Sequence, residues 1–582
     1  MGIAILDVPQ LEFVVLDIRR EFIMSHVWSK FYPEGTASEV DLSKWSSVAD
    51  ALEQACLRFP ESIALTCLGA DLSYRQFDRL ANQLAAYLQH DLGLKKGDRL
   101  AIMLPNIMQL PIAFFAAQKI GVVCVNTNPL YTPREMRHQF KDSGAKALVM
   151  IDLFMNHLEE VIQDTPIEHV IVTSVGDQLP AWKGLLIKGV MKLKGMIPKH
   201  KLKAVPFRKA LALGAKQTYS APDLSHKDIS ILQYTGGTTG VSKGAVLLQS
   251  NVLANMAQIQ HLASVQVTPG QEYVLTALPL YHVFALTVNF LAFVAMGQRM
   301  ILVPKPIPVS NLVKIFKKYP ISVMTGVNTL FNALVNDPGF QAAPPRHLKF
   351  SIGGGMAVQS AVSKKWQQLT GQPIVEGFGL TEASPVTHVN PLNGQLRSGS
   401  IGIPLASTNA KVVDEDGREV ANGETGELIV QGPQVMAGYW NRPEETKGVL
   451  RNDWLWTGDI ARRDGDGFFY IVDRKKDMIL VSGFNVYPSE IEEVLTSHPK
   501  VLEAAVIGIP DDTSGEAVKA FVVLRDPSLS IEELRQYCSS QLTGYKRPRL
   551  YEFRAELPKS NVGKILRRLL RDDTAASIKK VA

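Results

Sequence analysis

ISILQYTGGTTGVSKG, residues 229–244, sets the frame for the whole chain. The apolar run Ile229–Gln233 predicts a short strand. It passes at once into Thr235, Gly236, Gly237, Thr238, Thr239, Gly240, Ser242 and Lys243. Glycines let a backbone approach a polyanion closely and adopt positive φ. Backbone N–H groups and the hydroxyls of Thr235, Thr238, Thr239 and Ser242 can then wrap phosphate oxygens, with Lys243 adding a fixed positive charge. The segment is not a Walker A loop, because Val241 and Ser242 separate Gly240 from Lys243. It is not a dinucleotide fingerprint either, since no GxGxxG follows a strand. Behind the loop, SNVLANM (250–256) predicts a helix with a polar start.

Outward from this loop, short apolar strands alternate with helical patterns from about Ser46 to Val430. DRLAIMLP (98–105) is followed by MQLPIAFFAAQKIG (108–121) and VVCVNTNP (122–129). KALVMID (146–152), a helix and EHVIVTS (168–174) repeat the rhythm. Such βαβ alternation predicts parallel sheets covered by helices, and the length allows two of them. From about Ala410 the texture changes to short strands with Gly and Asp turns: AKVVDEDGREV (410–420), GELIVQGP (426–433) and GFFYIVDRK (467–475). Past Asp473, two helices (490–499 and 530–542) and two strands (503–510 and 517–525) read as a compact α+β module. The predicted fold is therefore α/β. A large N-terminal domain holds two parallel-sheet subdomains and a small β-rich one, and a C-terminal α+β domain follows. The expected boundaries are 24–473, a charged hinge at 474–477 and 478–582. Residues 1–23 read as a loose extension or a mis-called start before Met24.

Composition narrows the function. Apolar residues make up 46% and charged residues 20%, as in ordinary globular proteins. Cys56, Cys67, Cys124 and Cys538 lie far apart with no CxxC pair, which excludes a disulfide framework and a cysteine zinc site. Idle thiols fit a reducing cytoplasm. The net charge of +6 permits contact with anionic lipid or phosphorylated substrates, but no nucleic-acid module is present. The N-terminus lacks a basic n-region, so it does not read as a signal peptide. The run Val283–Gly297 is too short to span a bilayer. Residues 182–203 (WKGLLIKGVMKLKGMIPKHKLK) carry seven lysines and no acid among many apolar residues. Such a stretch fits an anionic inner-membrane surface as well as a solvated basic excursion.

The loop at 234–244 closely resembles the signature of adenylate-forming enzymes: acyl-CoA synthetases, luciferases and peptide-synthetase adenylation domains. Gly236 is similar to the form found in bacterial long-chain-fatty-acid–CoA ligases. Four further segments resemble that family in its order. Gly353-Gly354-Gly355 and Glu376-Gly377-Phe378-Gly379-Leu380-Thr381-Glu382 look like the adenine and magnesium sites. Trp456-Thr457-Gly458-Asp459 looks like the ribose site, Ile471–Asp477 like the interdomain hinge, and Pro558–Ile565 like the loop of the catalytic lysine.

The resemblance implies ATP, CoA and a long-chain fatty acid as substrates, Mg²⁺ as cofactor and a mobile C-terminal domain. Lys564 would span the acyl carboxylate and the α-phosphate, with Thr235 and Glu382 assisting. Glu382 would hold Mg²⁺, Thr381 the phosphate region and Phe378 the adenine. Asp459 would take the ribose hydroxyls, and Arg474 phosphate or ribose oxygens. Lys476 sits at the hinge position. Rotation there would withdraw Lys564 and bring Ser482, Gly483 and Phe484 to the CoA channel. His282, Phe284 and Gly326 would line the acyl pocket, Gly326 leaving room for a long chain. Trp456 departs from the histidine common in relatives. Two other readings stand beside ligation to CoA: an acyl-AMP ligase loading a carrier protein, and fatty-acid uptake at a membrane by metabolic trapping. The resemblance leaves a homodimer open.

Overall fold

Two large sheets arise where the sequence alternates apolar strands with helices. The computed structural model describes residues 26–34, 38–235, 242–511, 513–560 and 563–581. The proposed extension at 1–23 lies outside them, as do Gly236, Gly237, Thr238, Thr239 and Gly240. The first sheet has eight strands, with Arg99–Met103 between Val123–Asn126 and Ala147–Ile151 at its centre. Those pairings are parallel, as the βαβ reading requires. The second sheet has nine strands, with Tyr273–Thr276, Val323–Gly326, Phe350–Gly353 and Ile374–Gly379 running parallel in its middle. Helix Gln109–Lys119 is buried along its whole length, as is the π-helical segment Ala285–Ala292. Elements that are apolar all round belong inside a core. Their aromatic side chains meet there: Phe290 lies 5.8 Å from Phe114 and 6.2 Å from Phe77, ring centre to ring centre. The run at 283–297 is thus core. No helix among the described residues is long and apolar enough to cross a membrane.

The helix expected at 250–256 is present, and a strand that the sequence reading did not name separates it from the phosphate-loop sequence. Lys243–Leu248 forms a strand first, antiparallel to Ile229–Thr235, with Thr235 opposite Lys243. Helix Gln249–Ala263 begins only afterwards. After Lys243 the intervening GAVLL has no charge and no helical period, and the strand gains partners on both sides, Ile229–Thr235 and Gly438–Tyr439. The Gly/Thr segment therefore connects two paired strands rather than opening a helix.

The β-rich part is a five-stranded antiparallel sheet that includes Trp454–Arg463 and Phe469–Arg474. After the turn at 475–477 the C-terminal sheet starts with Ile479–Val481 and packs helices Pro488–Ser497 and Ile531–Gln541. Gly402 joins the second sheet to the β-rich one, bridging Phe469 at φ +89°. A Cβ there would collide with the backbone of Val389 and Asn390. Gly402→Ala should destabilise by about 1–3 kcal/mol, read as a lower urea midpoint. An unchanged midpoint would contradict this packing.

Candidate active site

The base of the Gly/Thr segment is braced from below. Helix Pro133–Ser143 starts with a capping box, Thr132 with Glu135, and ends on left-handed Gly144. That fixes Asp142, whose carboxylate accepts from Tyr234 Oη at 2.7 Å and pairs with Arg442 at 2.6 Å. Ser242 Oγ donates to the Thr235 carbonyl at 2.6 Å, closing the segment's mouth. Lys243 Nζ stands 5.2 Å from the centre of the Tyr439 ring. The Tyr439 hydroxyl in turn donates to Glu382 Oε1 at 2.7 Å. Thr235, Lys243 and Glu382 thus share one neighbourhood, through a tyrosine that sequence reasoning did not single out.

Strand Ile374–Gly379 carries Glu376, Gly377, Phe378 and Gly379, and a short turn carries Thr381 and Glu382. Gly379 needs its missing side chain, since a Cβ would strike the Pro385 carbonyl. Glu376 accepts from the backbone N–H groups of Val358 and Gly399 at 3.3 and 3.2 Å. Burial nevertheless raises its carboxyl to about 7. The strand Phe350–Gly353 leads into Gly354 and Gly355. A Cβ on Gly354 would lie 3.1 Å from Phe284 Cζ, and one on Gly355 would lie 3.4 Å from Lys564 Cε. Gly354 and Gly355 therefore form a floor that lets Phe284 and Lys564 come close, while Gly353 makes room for Val358 and Ile374.

Lys564 reaches this floor from a tight loop. Gly563 at φ +82° turns the chain, its N–H donating to the Ser560 carbonyl at 2.8 Å. The Lys564 N–H donates to Ser560 Oγ at 3.1 Å. Thr329 Oγ1 holds the Gly563 carbonyl at 3.3 Å and ties the loop to the N-terminal domain. Lys564 keeps some surface exposure but is surrounded by protein. Burial, with the Arg474 charge, pulls its ammonium down to about 8, while Asp459 and Glu382 oppose that shift. Asp459 is only 4% exposed and pairs with Arg474 Nε at 3.1 Å across adjacent strands. Burial raises the Asp459 carboxyl, against the pull of Arg474, Lys564 and Lys476. Burial also depresses the Lys476 ammonium, as does Arg474. Lys564, Asp459, Arg474, Glu382 and Lys476 thus form one charge cluster.

Other predicted residues fall differently. Burial, then the Lys564 charge, lowers His282 to about 3. It is a neutral imidazole at physiological pH, its Nδ1 accepting from the Phe284 N–H at 3.3 Å. The space at Gly326 is not open. A Cβ there would sit 2.7 Å from the Phe331 ring, so the glycine accommodates Phe331. Ser482 and Gly483, both at positive φ, turn an exposed hairpin, and Phe484 stacks on Tyr545 at 4.6 Å. They stand outside the Lys564 cluster in this arrangement. Trp456 packs under the Arg451 guanidinium, 4.6 Å from its ring centre.

Sequence reasoning also passed over Arg567. It pairs with Glu492 at 2.7 Å, Asp477 at 3.2 Å and Asp473 at 3.6 Å, and Arg571 adds a second bond to Asp477 at 2.8 Å. Asp473 also accepts from the Ser489 N–H at 2.8 Å. This network ties the start of helix Arg567–Val581 to both ends of the 474–477 turn, three residues beyond Lys564.

A Gly/Thr connection between paired strands, a glycine floor and the Asp459–Arg474–Lys564 charge cluster sit in the fold of adenylate-forming enzymes, and the chain belongs to the AMP-binding enzyme family. That family matches residues 52–440, and its C-terminal domain matches 490–564. The long-chain-fatty-acid–CoA ligase of Escherichia coli O157:H7 is 51% identical over 95% of this chain and 99% of its own length. The Bacillus subtilis protein of that name is 40% identical over 94% and 98%. The crystal structure of the anthranilate CoA ligase AuaEII in complex with anthranoyl-AMP superposes with a TM-score of 0.83 at 26% identity, covering 93% of this chain and 99% of that one. ATP-bound MatB from Rhodopseudomonas palustris follows at 0.78 and 27%, covering 90% and 98%.

Two expectations follow. Rising pH through about 8 removes the Lys564 proton, so kcat/KM for adenylation should fall above that value. Lys564→Arg should show no such fall, because a guanidinium stays charged. A wild-type profile that stays flat past the ordinary lysine range would contradict this. Arg567→Gln leaves Asp473 and Asp477 short of positive charge, at a cost of about 3–5 kcal/mol. Urea unfolding should shift down and adenylation should slow. Unchanged stability and rate would show the network to be idle.

Proposed function

We propose that this protein joins long-chain fatty acids to CoA through an acyl-adenylate. The observation that carries the reading is Lys564 on the glycine floor, clustered with Asp459, Arg474 and Glu382. The identity of the relatives supports the choice of acid.

In the first half-reaction a carboxylate oxygen attacks the α-phosphorus of ATP. One O–P bond forms, and the bond to pyrophosphate breaks. Both reactants are anions, so the Lys564 ammonium supplies charge and alignment between them. Asp459 accepts from the ribose hydroxyls, and Arg474 takes phosphate or ribose oxygens beside it. Phe378 offers a flat apolar face to adenine. Thr235, Gly236, Gly237, Thr238, Thr239, Gly240 and Lys243 hold the β- and γ-phosphates, with Thr381 nearby. Among the described residues no group of three or more His, Cys, Asp or Glu side chains could hold a metal. The lone Glu382 carboxylate instead suits a Mg²⁺ that arrives on nucleotide phosphates. Bound there, the ion would neutralise charge on the leaving pyrophosphate.

In the second half-reaction the CoA sulfur attacks the acyl carbonyl, a C–S bond forms and AMP leaves. Rotation about 474–477 breaks the Arg567–Asp473 and Ser489–Asp473 contacts, withdraws Lys564 and brings the Ser482–Phe484 hairpin forward. Neutral His282 and Phe284 line the acyl entrance. The same reading places the work at a membrane surface, where such acids partition.

The test is incubation with palmitate, ATP and Mg²⁺, with and without CoA. Palmitoyl-CoA and AMP should appear together and only when CoA is present. Palmitoyl-AMP accumulating regardless of CoA would favour loading of a carrier protein instead, and turnover of acetate or an aromatic acid alone would overturn the substrate assignment.

A further inference from the structure

Helix Ala181–Leu193 exposes a wide apolar stripe beside its lysines. Surface helices put their apolar stripe inward and their charges outward. Here the inward face is narrow: Gly184 is buried, and Lys183, Ile187 and Met191 are half-buried. Gly184 is buried against Gly176, so closely that a Cβ on it would lie 2.5 Å from the Gly176 carbonyl. Lys183 Nζ donates to the Leu68 carbonyl. The outward stripe is Trp182, Leu185, Leu186, Val190 and Leu193, spaced i, i+3, i+4, i+8 and i+11, and all are between 43% and 90% exposed. Met196 extends the exposed apolar surface beyond the helix end at 50%. Leu68, 42% exposed, lies beside it.

Charge frames this stripe with a single sign. Residues 182–203 hold seven lysines and no acid, and Lys318 Nζ joins Lys183 around Gly69. A second copy of the same face would bring its lysines against one another. An anionic bilayer surface instead offers phosphates to the ammonium groups and a headgroup boundary to the leucines. Lysine stems lie along apolar surface while their heads reach outward. At 13 residues the helix is too short to cross a bilayer, and its exposed stripe runs along one side, the form of a helix that lies in the interfacial plane.

We infer that helix Ala181–Leu193 is the docking element of this protein, seated by Trp182, Leu185, Leu186 and Leu193 in the headgroup region of an anionic membrane. The inference rests on the proposed use of membrane-partitioned acids for its purpose, and on the helix face alone for its geometry. Trp182 is the exposed one of the seven tryptophans, which makes it a reporter.

The full-length protein is mixed with vesicles of phosphatidylcholine, or of equal parts phosphatidylcholine and phosphatidylglycerol, and sedimented. Wild type should bind the anionic vesicles, less so as salt rises, with a blue shift of emission that Trp182→Phe removes. The variant Leu185→Ser/Leu186→Ser/Leu193→Ser should bind at least about tenfold less, while converting detergent-dispersed palmitate at the wild-type rate. Equal binding by variant and wild type, or equal binding of both vesicle types, would overturn the inference. So would wild-type self-association that the variant abolishes. Vesicle binding by a wild type that makes no palmitoyl-CoA would remove the ligase reading and leave the docking helix standing.

Discussion

Attack of one anion on another needs positive charge that water cannot dissipate. A lysine in free solution is strongly hydrated and screened. Lys564 is held where protein surrounds it, and that loss of water, with the Arg474 charge, lowers its pKa. Keeping it charged depends on Asp459 and Glu382, while Arg474 pushes the other way. Lys564 therefore sits close to its titration point before substrates arrive. Two incoming anions tip the balance toward the protonated lysine, which is the form adenylation uses.

In the proposed cycle the same lysine leaves before a thiol approaches. Among the described residues, its loop is hydrogen-bonded to the N-terminal domain by Thr329, which donates to the Gly563 carbonyl. Ser360 to Glu493, at 2.9 Å, is a second small contact. Stronger interactions sit at the pivot, where buried Asp473 meets Ser489 and Arg567. Asp477, Glu492 and Arg571 bind Arg567 or each other within the C-terminal unit and can turn with it. Few polar contacts at the site and a defined set at the pivot suit a body that swings as one piece.

Much of the architecture was legible because strands and helices carry their period in adjacent residues. Arg99–Met103, Val123–Asn126 and Ala147–Ile151 fall inside the runs that predicted them. Lys243–Leu248 was missed because a six-residue apolar strand running straight into a helix shows no punctuation between the two. Lys564 was visible only through its resemblance, since by itself it is a lysine near Arg567 and Arg568. Arg567 was passed over for a different reason: its partners Glu492 and Asp477 lie 75 and 90 residues away, a distance at which charge leaves no periodic trace. Gly326 shows the opposite limit, because an absent side chain says nothing about which neighbour fills the gap.

The most direct measurement separates the two half-reactions in Lys564→Ala. Palmitoyl-AMP formation from palmitate and ATP is followed alone, and conversion of supplied palmitoyl-AMP to palmitoyl-CoA is followed separately. A lysine that serves only adenylation predicts loss of the first step, by about a hundredfold or more, with the second largely intact. Equal loss of both steps, or loss of neither, would contradict the role assigned to Lys564.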